Sequence, residues 1–313
     1  MLEIPVSTMH IGLMSRTLTI AAAQYSLDEL TSLQAYRAKI TTWVEQAVAQ
    51  GAEVLVFPEY GSMELSAIGG KGLDLHGSIG TVSDLVPAII DIHQSLARKH
   101  GVMIVAASNP QVIGAQVCNV AQVFGPHGAH DSFSKIMPTP WERDPWKISG
   151  GRELKLFDIG KTKVGLLICY DIEFPLLSRA LAEAGAEIIL APSNTETEWG
   201  YWRVRIGAQA RALENQVYTV HAPTVGAAPF SAVCAQNTGM AGIFAPPDRG
   251  FPVNGVIALG EMNRPQWVTA KLDLDHLAEV RSKGGVRTFA HWPEQMGASP
   301  LPSAQVIDLL RKA

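Results

Sequence analysis

Short apolar runs alternate along the first half of the chain with longer stretches of helical period. Leu18-Thr19-Ile20-Ala21-Ala22-Ala23-Gln24 reads as a strand, and a helical stretch follows from about Leu33 to Gln50, ending at Gly51, a good helix-stop residue. Glu53-Val54-Leu55-Val56-Phe57 reads as a buried strand, Val86 to His100 as an amphipathic helix stopped by Gly101, and Val102-Met103-Ile104-Val105-Ala106 as another strand. The strands then crowd together. Val117 to Phe124 ends in Gly125-Pro126-His127-Gly128, and Leu154 to Ile159 turns at Gly160-Lys161 into Val164 to Ile168, which predicts hairpins in the middle of the chain.

A second β-α series follows: helix Leu176 to Ala184 with Gly185 as its stop, strand Glu187 to Ala191, helix Trp199 to Asn215 and strand Val217 to Val220. The halves are alike in architecture, yet no residue-level repeat and no Ser/Gly/Pro-rich linker divides them, so one domain over 1–313 is expected. Alternating strands and helices with central hairpins indicate a layered α/β sandwich. The pattern weakens from Phe251 onward, where only Trp267 to Leu272 is clearly strand-like. A core over about residues 17–275 is therefore expected, with residues 276–313 as a tail or partner-docking arm.

Composition narrows the function classes. The chain has 313 residues, 47% of them hydrophobic, and a formal net charge of −4 built from dispersed charges. Without a polybasic run, neither nucleic acid nor a membrane surface is an expected partner. The three cysteines, Cys118, Cys169 and Cys234, form no CxxC pair, which argues against a disulfide framework and a structural zinc site. No window approaches the roughly 18 unbroken apolar residues of a membrane span. Residues Met1 to Arg16, broken by Glu3, Pro5 and His10, read as an unexported leader, so a cytoplasmic protein is expected, without metal or cofactor. His127 and His130 flank a Gly-rich turn and accompany no ligand set such as HExxH; turn polarity explains them better than metal binding. Ser132-Phe133-Ser134-Lys135 formally fits SxxK but follows a hairpin instead of opening a helix, and Gly69-Gly70-Lys71-Gly72 reads as a flexible loop near a pocket mouth.

Three polar residues stand where a core strand gives way to a loop, the position at which α/β scaffolds place chemistry. Glu59 follows Val54-Leu55-Val56-Phe57-Pro58; a rigidly held carboxylate and a surface acid capping a turn fit equally well. Cys118 and Cys234 read as buried apolar residues, but Cys169 closes Val164-Gly165-Leu166-Leu167-Ile168 at a strand-to-helix elbow, where nearby amide donors favour a thiolate or an oxyanion. A lone Lys135 would ordinarily be solvated surface. Here Glu142 follows seven positions later amid Trp141 and Trp146, an apolar setting in which ammonium and carboxylate need each other.

Phe57-Pro58-Glu59, Ser134-Lys135-Ile136-Met137-Pro138-Thr139 and Ile168-Cys169-Tyr170-Asp171-Ile172-Glu173-Phe174-Pro175, in this order and with Arg211-Ala212-Leu213-Glu214-Asn215 beyond them, resemble the motifs of the nitrilase superfamily of carbon-nitrogen hydrolases. The stretch Gly200 to Arg211 resembles a branch whose hydrolase domain is sometimes fused to an N-acetyltransferase, and this chain is expected to be the stand-alone version. The resemblance implies a four-layer α-β-β-α sandwich and a Glu59-Lys135-Cys169 triad. Glu59 would take the thiol proton, Cys169 attack a carbonyl carbon, Lys135 and the Tyr170 backbone N–H stabilise the oxyanion, and Glu142 hold Lys135 in place. It also implies a homodimer or larger homo-oligomer.

True nitrilases of this superfamily carry Trp and Glu directly after the nucleophile, whereas Tyr170 and Asp171 stand here, which favours an amide over a nitrile. Relatives of the ω-amidase type carry an arginine in the place of Glu173, so a neutral or cationic amide is the expected substrate. Tyr60, Trp141, Phe174, Asn194, Thr195 and Trp199 are candidate pocket walls; Thr195 with Glu198 also fits a capping box, and the tryptophans fit ordinary core or interface positions equally well. Nitrile hydrolysis, acyl transfer to an amine and a catalytically silent scaffold are the alternative readings.

Overall fold

The computed structural model describes residues 15–298, 300 and 303–313, so residues 1–14 of the expected leader lie outside the described residues. Strand β1 (Thr17–Ser26) shows why the sandwich forms. Leu18, Ile20 and Ala22 join one core cluster while Ala21, Ala23 and Tyr25 join another, as the two-residue period of a strand requires. With both faces buried, the strand reads in sequence as a nearly continuous apolar run.

Helix α1 (Leu33–Ala49) begins at Ser32, whose side chain accepts from the Ala35 N–H, and turns Tyr36, Ile40, Val44 and Ala47 inward. β2 (Val54–Val56), α2 (Leu75–Asp84), α3 (Val86–His100) and β3 (Met103–Val105) complete the first β-α series, with β1, β2 and β3 parallel. β4 (Asn109–Ile113), β5 (Gln116–Phe124) and β6 (His130–Ser134) are the expected antiparallel hairpins. After the short α4 (Pro140–Arg143), β7 (Leu154–Asp158) and β8 (Lys163–Leu166) pair antiparallel.

The second series is α5 (Pro175–Glu183), β9 (Ala186–Ser193), α6 (Glu198–Asn215) and β10 (Tyr218–Ala227), with β8, β9 and β10 parallel. β11 (Gln236–Asn237), β12 (Gly242–Phe244) and β13 (Val256–Leu259) extend it, and β14 (Gln266–Asp273) returns antiparallel to β1. The strands form one curled sheet whose two halves meet where Tyr25 and Ser26 of β1 pair with Thr224 and Val225 of β10. Ile20, Val54 and Val56 of the first half share a core cluster with Leu166 and Leu190 of the second, while α1 and α3 cover one outer face and α5 and α6 the other. Truncating such a residue to Ala costs about 2–5 kcal/mol.

Two expectations are corrected and one helix is added. Residues 276–313 are not a free tail: α7 (Leu274–Lys283) extends into them, and β15 (Ala304–Asp308) pairs parallel with β7 at the edge of this chain's own sheet. The anchors are Ile307 and Leu309, both buried, in a run too short to show a period. Helix α2 was not legible because it holds two glycines among serine and threonine, poor helix formers; the Asp74 cap on Gly77 (2.7 Å) and the burial of Ile79 and Val82 override them. Finally, α6 is capped by Thr197, whose hydroxyl accepts from the Gly200 N–H at 3.2 Å, so Thr195 and Glu198 form no capping box.

Candidate active site

Glu59, Lys135, Cys169 and Asn194 come from the loops that follow β2, β6, β8 and β9, so the ends of strands from both halves of the sheet supply one site. Cys169 opens a 3₁₀ turn running to Glu173 and adopts φ +52°. Tyr60, directly after Glu59, adopts φ +57°. Left-handed backbone at a residue with a side chain costs about 1–3 kcal/mol and persists only where the surroundings over-determine it. Around Cys169 that support includes Arg211 of α6, which donates to the carbonyls of Ile172 (3.4 Å) and Glu173 (3.5 Å) from behind the turn. The Glu59 carbonyl is likewise held, by the Thr224 hydroxyl at 2.6 Å.

At the centre, Lys135 Nζ lies 2.7 Å from both Glu59 Oε1 and Glu142 Oε2. All three side chains are buried, so one ammonium serves two desolvated carboxylates. Their remaining partners differ. Glu142 accepts from the Tyr60 hydroxyl at 2.6 Å and the Thr139 N–H at 2.8 Å, within a capping box that α4 builds on Thr139. Glu59 Oε2 accepts from the Asn194 N–H at 2.8 Å. The Asn119 amide donates to both acids, at 2.9 Å to Glu59 and 3.2 Å to Glu142.

These environments push the two acids apart. Burial raises Glu59 above the ordinary carboxylate range, more than Lys135 can offset. Glu142 is also penalised by burial, but Lys135 and its hydrogen bonds outweigh this and hold it below that range. For Lys135 the two carboxylates overcome burial and keep it firmly charged. Glu59 is thus the more basic acid, the pattern that separates a proton acceptor from a counter-ion. Cys169 is buried with its Sγ 3.7 Å from the Asn194 carbonyl; burial first, then the nearby Glu59 charge, push its pKa well up, so the resting group is a thiol.

The structure brings Glu59, Lys135, Glu142, Cys169, Tyr60 and Asn194 into this one cluster. Asn194 enters by its backbone, with its side-chain amide turned to Asn237 Oδ1 at 2.5 Å. Tyr170 follows Cys169 in the turn, its ring edge-on to Phe174 at 4.8 Å. Glu173 is half-buried, its pKa raised by burial, with the Arg203 guanidinium 3.6 Å away. Thr195 is spent on the Thr238 carbonyl at 2.8 Å, while Trp141 and Trp199 are 68% and 81% exposed, outside the buried cluster. Gly70, Lys71 and Gly72 line a separate cavity of about 320 Å³ with Ser66 and Phe230 among its walls. Cys118 and Cys234 are free and buried.

Sequence reasoning missed Asn119 and the role of Asp171. Asn119 was detectable as a lone polar residue inside the apolar run Val117 to Phe124. Asp171 sits in the quoted cysteine motif, but two of its partners, the Ile136 and Met137 N–H groups, come from another loop.

The model of the carbon-nitrogen hydrolase family matches residues 19–245. The probable hydrolase YhcX of Bacillus subtilis is 34% identical over 269 residues; the match covers 86% of this chain but 52% of that protein, so the chain spans about half that relative's length. Omega-amidase NIT2 of Danio rerio is 27% identical over 214 residues, covering 65% of this chain and 73% of the relative. Among solved structures, a variant of the amidase from Nesterenkonia sp. AN1 superposes with a TM-score of 0.66 at 24% identity, covering 85% of this chain and 97% of the other, and so shares the fold. Among the described residues, no helix is long and apolar enough to cross a membrane.

Proposed function

The chain belongs to the carbon-nitrogen hydrolase family, and from that membership we propose that it hydrolyses a small-molecule amide to a carboxylate and ammonia or an amine through a thioester on Cys169. The observation that carries this reading is Lys135 held 2.7 Å from each of two buried carboxylates, Glu59 and Glu142, with the buried Cys169 thiol in the same cluster. Cys169 Sγ attacks the carbonyl carbon as its proton passes to Glu59, and the oxyanion is met by Lys135 and the Tyr170 backbone N–H. The carbon-nitrogen bond then breaks, with Glu59 returning the proton to the leaving nitrogen. Water, deprotonated by the same carboxylate, attacks the thioester and expels the thiol. Glu142 holds Lys135 charged and in place.

Glu173 supports a neutral or cationic amide: it is a half-buried carboxylate four residues beyond the nucleophile, and its ion-pair partner among the described residues, Arg203, is largely exposed and 3.6 Å away. Tyr60 and Asn194 serve the pocket by fixing Glu142 and Glu59. We also propose a homodimer, since α6 turns Trp199, Trp202, Ile206 and Leu213 toward solvent.

The test is ammonia release over a panel of amides and nitriles, run with and without hydroxylamine, for wild type and Cys169→Ala. Turnover of neutral or amine-bearing amides, abolished by the substitution, is expected. Turnover surviving in Cys169→Ala would overturn the mechanism, faster hydrolysis of α-keto-acid amides would overturn the reading of Glu173, and a dominant hydroxamate product would reassign the chain to acyl transfer.

A further inference from the structure

We propose that Asp171 is a positioning residue, whose carboxylate registers the loop carrying Lys135 against the turn carrying Cys169. This rests on Cys169 being the nucleophile. Asp171 lies two residues beyond Cys169 in the same 3₁₀ turn and is completely buried. Its Oδ2 accepts from the Ile168 N–H at 3.0 Å, directly before the nucleophile, and its own N–H donates to the Ile168 carbonyl at 3.0 Å. The same carboxylate reaches the other loop, where Oδ1 accepts from the Met137 N–H at 2.7 Å and Oδ2 from the Ile136 N–H at 3.2 Å. Ile136 and Met137 directly follow Lys135.

Three backbone donors from two chain segments thus converge on one side chain. Two of them directly follow Lys135 and the third adjoins Cys169, so the carboxylate sets the separation between the ammonium and the sulfur. Nucleophilic and oxyanion chemistry depend on that separation to a fraction of an ångström. The left-handed Cys169 backbone adds to the need, since an elbow held in an unfavourable conformation relaxes when its ties are cut. Burial raises Asp171 to about 7, against the pull of Lys135 and the three backbone N–H groups, as expected of an acid kept buried for its acceptor geometry.

Asp171→Asn separates geometry from charge. Asparagine keeps one acceptor oxygen and sets an NH2 group against a backbone N–H, donor facing donor. On charge alone, losing a carboxylate near Lys135 would leave the ammonium freer to stabilise a thiolate and would speed alkylation of Cys169. Loss of registration works the other way. The experiment is alkylation by iodoacetamide across pH 6 to 10, with the labelled cysteine identified by mass spectrometry, in wild type, Asp171→Asn and Asp171→Glu; it reads out whether or not any amide is turned over. The expected result is a folded Asp171→Asn protein in which Cys169 is alkylated about tenfold more slowly than in wild type at each pH. For any amide that is hydrolysed, kcat should fall while KM stays within about twofold, with partial recovery in Asp171→Glu.

Unchanged or faster alkylation in folded Asp171→Asn would overturn the proposal while leaving the nucleophile intact. Failure of both variants to fold would overturn it in favour of a purely structural role. Absence of selective labelling at wild-type Cys169 would remove the nucleophile, and the positioning role with it.

Discussion

Lys135 Nζ and Glu59 Oε1 stand 2.7 Å apart with both side chains 1% exposed, and the ammonium binds Glu142 at the same distance. Removing the ammonium leaves two carboxylates buried without their counter-ion. Lys135→Gln is expected to cost about 3–5 kcal/mol in stability, read by urea unfolding. Turnover should fall by about a hundredfold to a thousandfold, as for loss of an oxyanion donor. A variant within 1 kcal/mol of wild type, with undiminished ammonia release, would remove Lys135 from the centre of the site.

Asn119 is the neutral donor shared by the two acids. Asn119→Ala should lower stability by about 1–3 kcal/mol by leaving acceptors unpaired, with a larger loss for Asn119→Asp, which adds a third carboxylate. Comparing the thermal midpoints of the two variants checks the order; Asp tolerated better than Ala would contradict it.

Stability should respond to acid through two buried histidines. Burial lowers His93 to about 4 and His221 to about 3, below the ordinary 6.5 that each regains on unfolding. Between pH 6.5 and 4 the unfolded chain therefore binds more protons, and the stability the neutral rings contribute is lost as pH falls. Asp171, raised to about 7, acts in the opposite sense, favouring the folded state as pH drops. The difference between wild type and a single variant isolates each group: the lead over His221→Phe should shrink by up to about 1.4 kcal/mol per pH unit across that window. Urea midpoints at pH 7, 6 and 5 measure it, and a constant lead would disprove the assignment.

Trp199, Trp202, Ile206 and Leu213 share one side of α6 and are 81%, 43%, 60% and 44% exposed. If this stripe seats a second copy, Trp199→Lys combined with Ile206→Lys should convert a dimer into a monomer in sedimentation velocity. A wild type already monomeric at micromolar concentration would end the proposal.

The sequence by itself determined the strand-helix order, the hairpins of the middle region and the candidate Glu59, Lys135, Glu142 and Cys169, because apolar periodicity and turn residues act over a few positions. It could not show that Asp171 binds Ile136 and Met137, that Asn119 spans two carboxylates, or that Asn194 contributes its backbone and not its side chain, since each is a contact between segments far apart in the chain. It also mistook residues 304–308 for tail, because a short edge strand is recruited by the β7 edge already present and not by its own pattern. Least legible were the different surroundings of the two carboxylates. Glu59 and Glu142 are the same residue type, and only tertiary structure, by burying both around Lys135 while giving Glu142 the tyrosine and backbone donors that favour its charge, sets them apart.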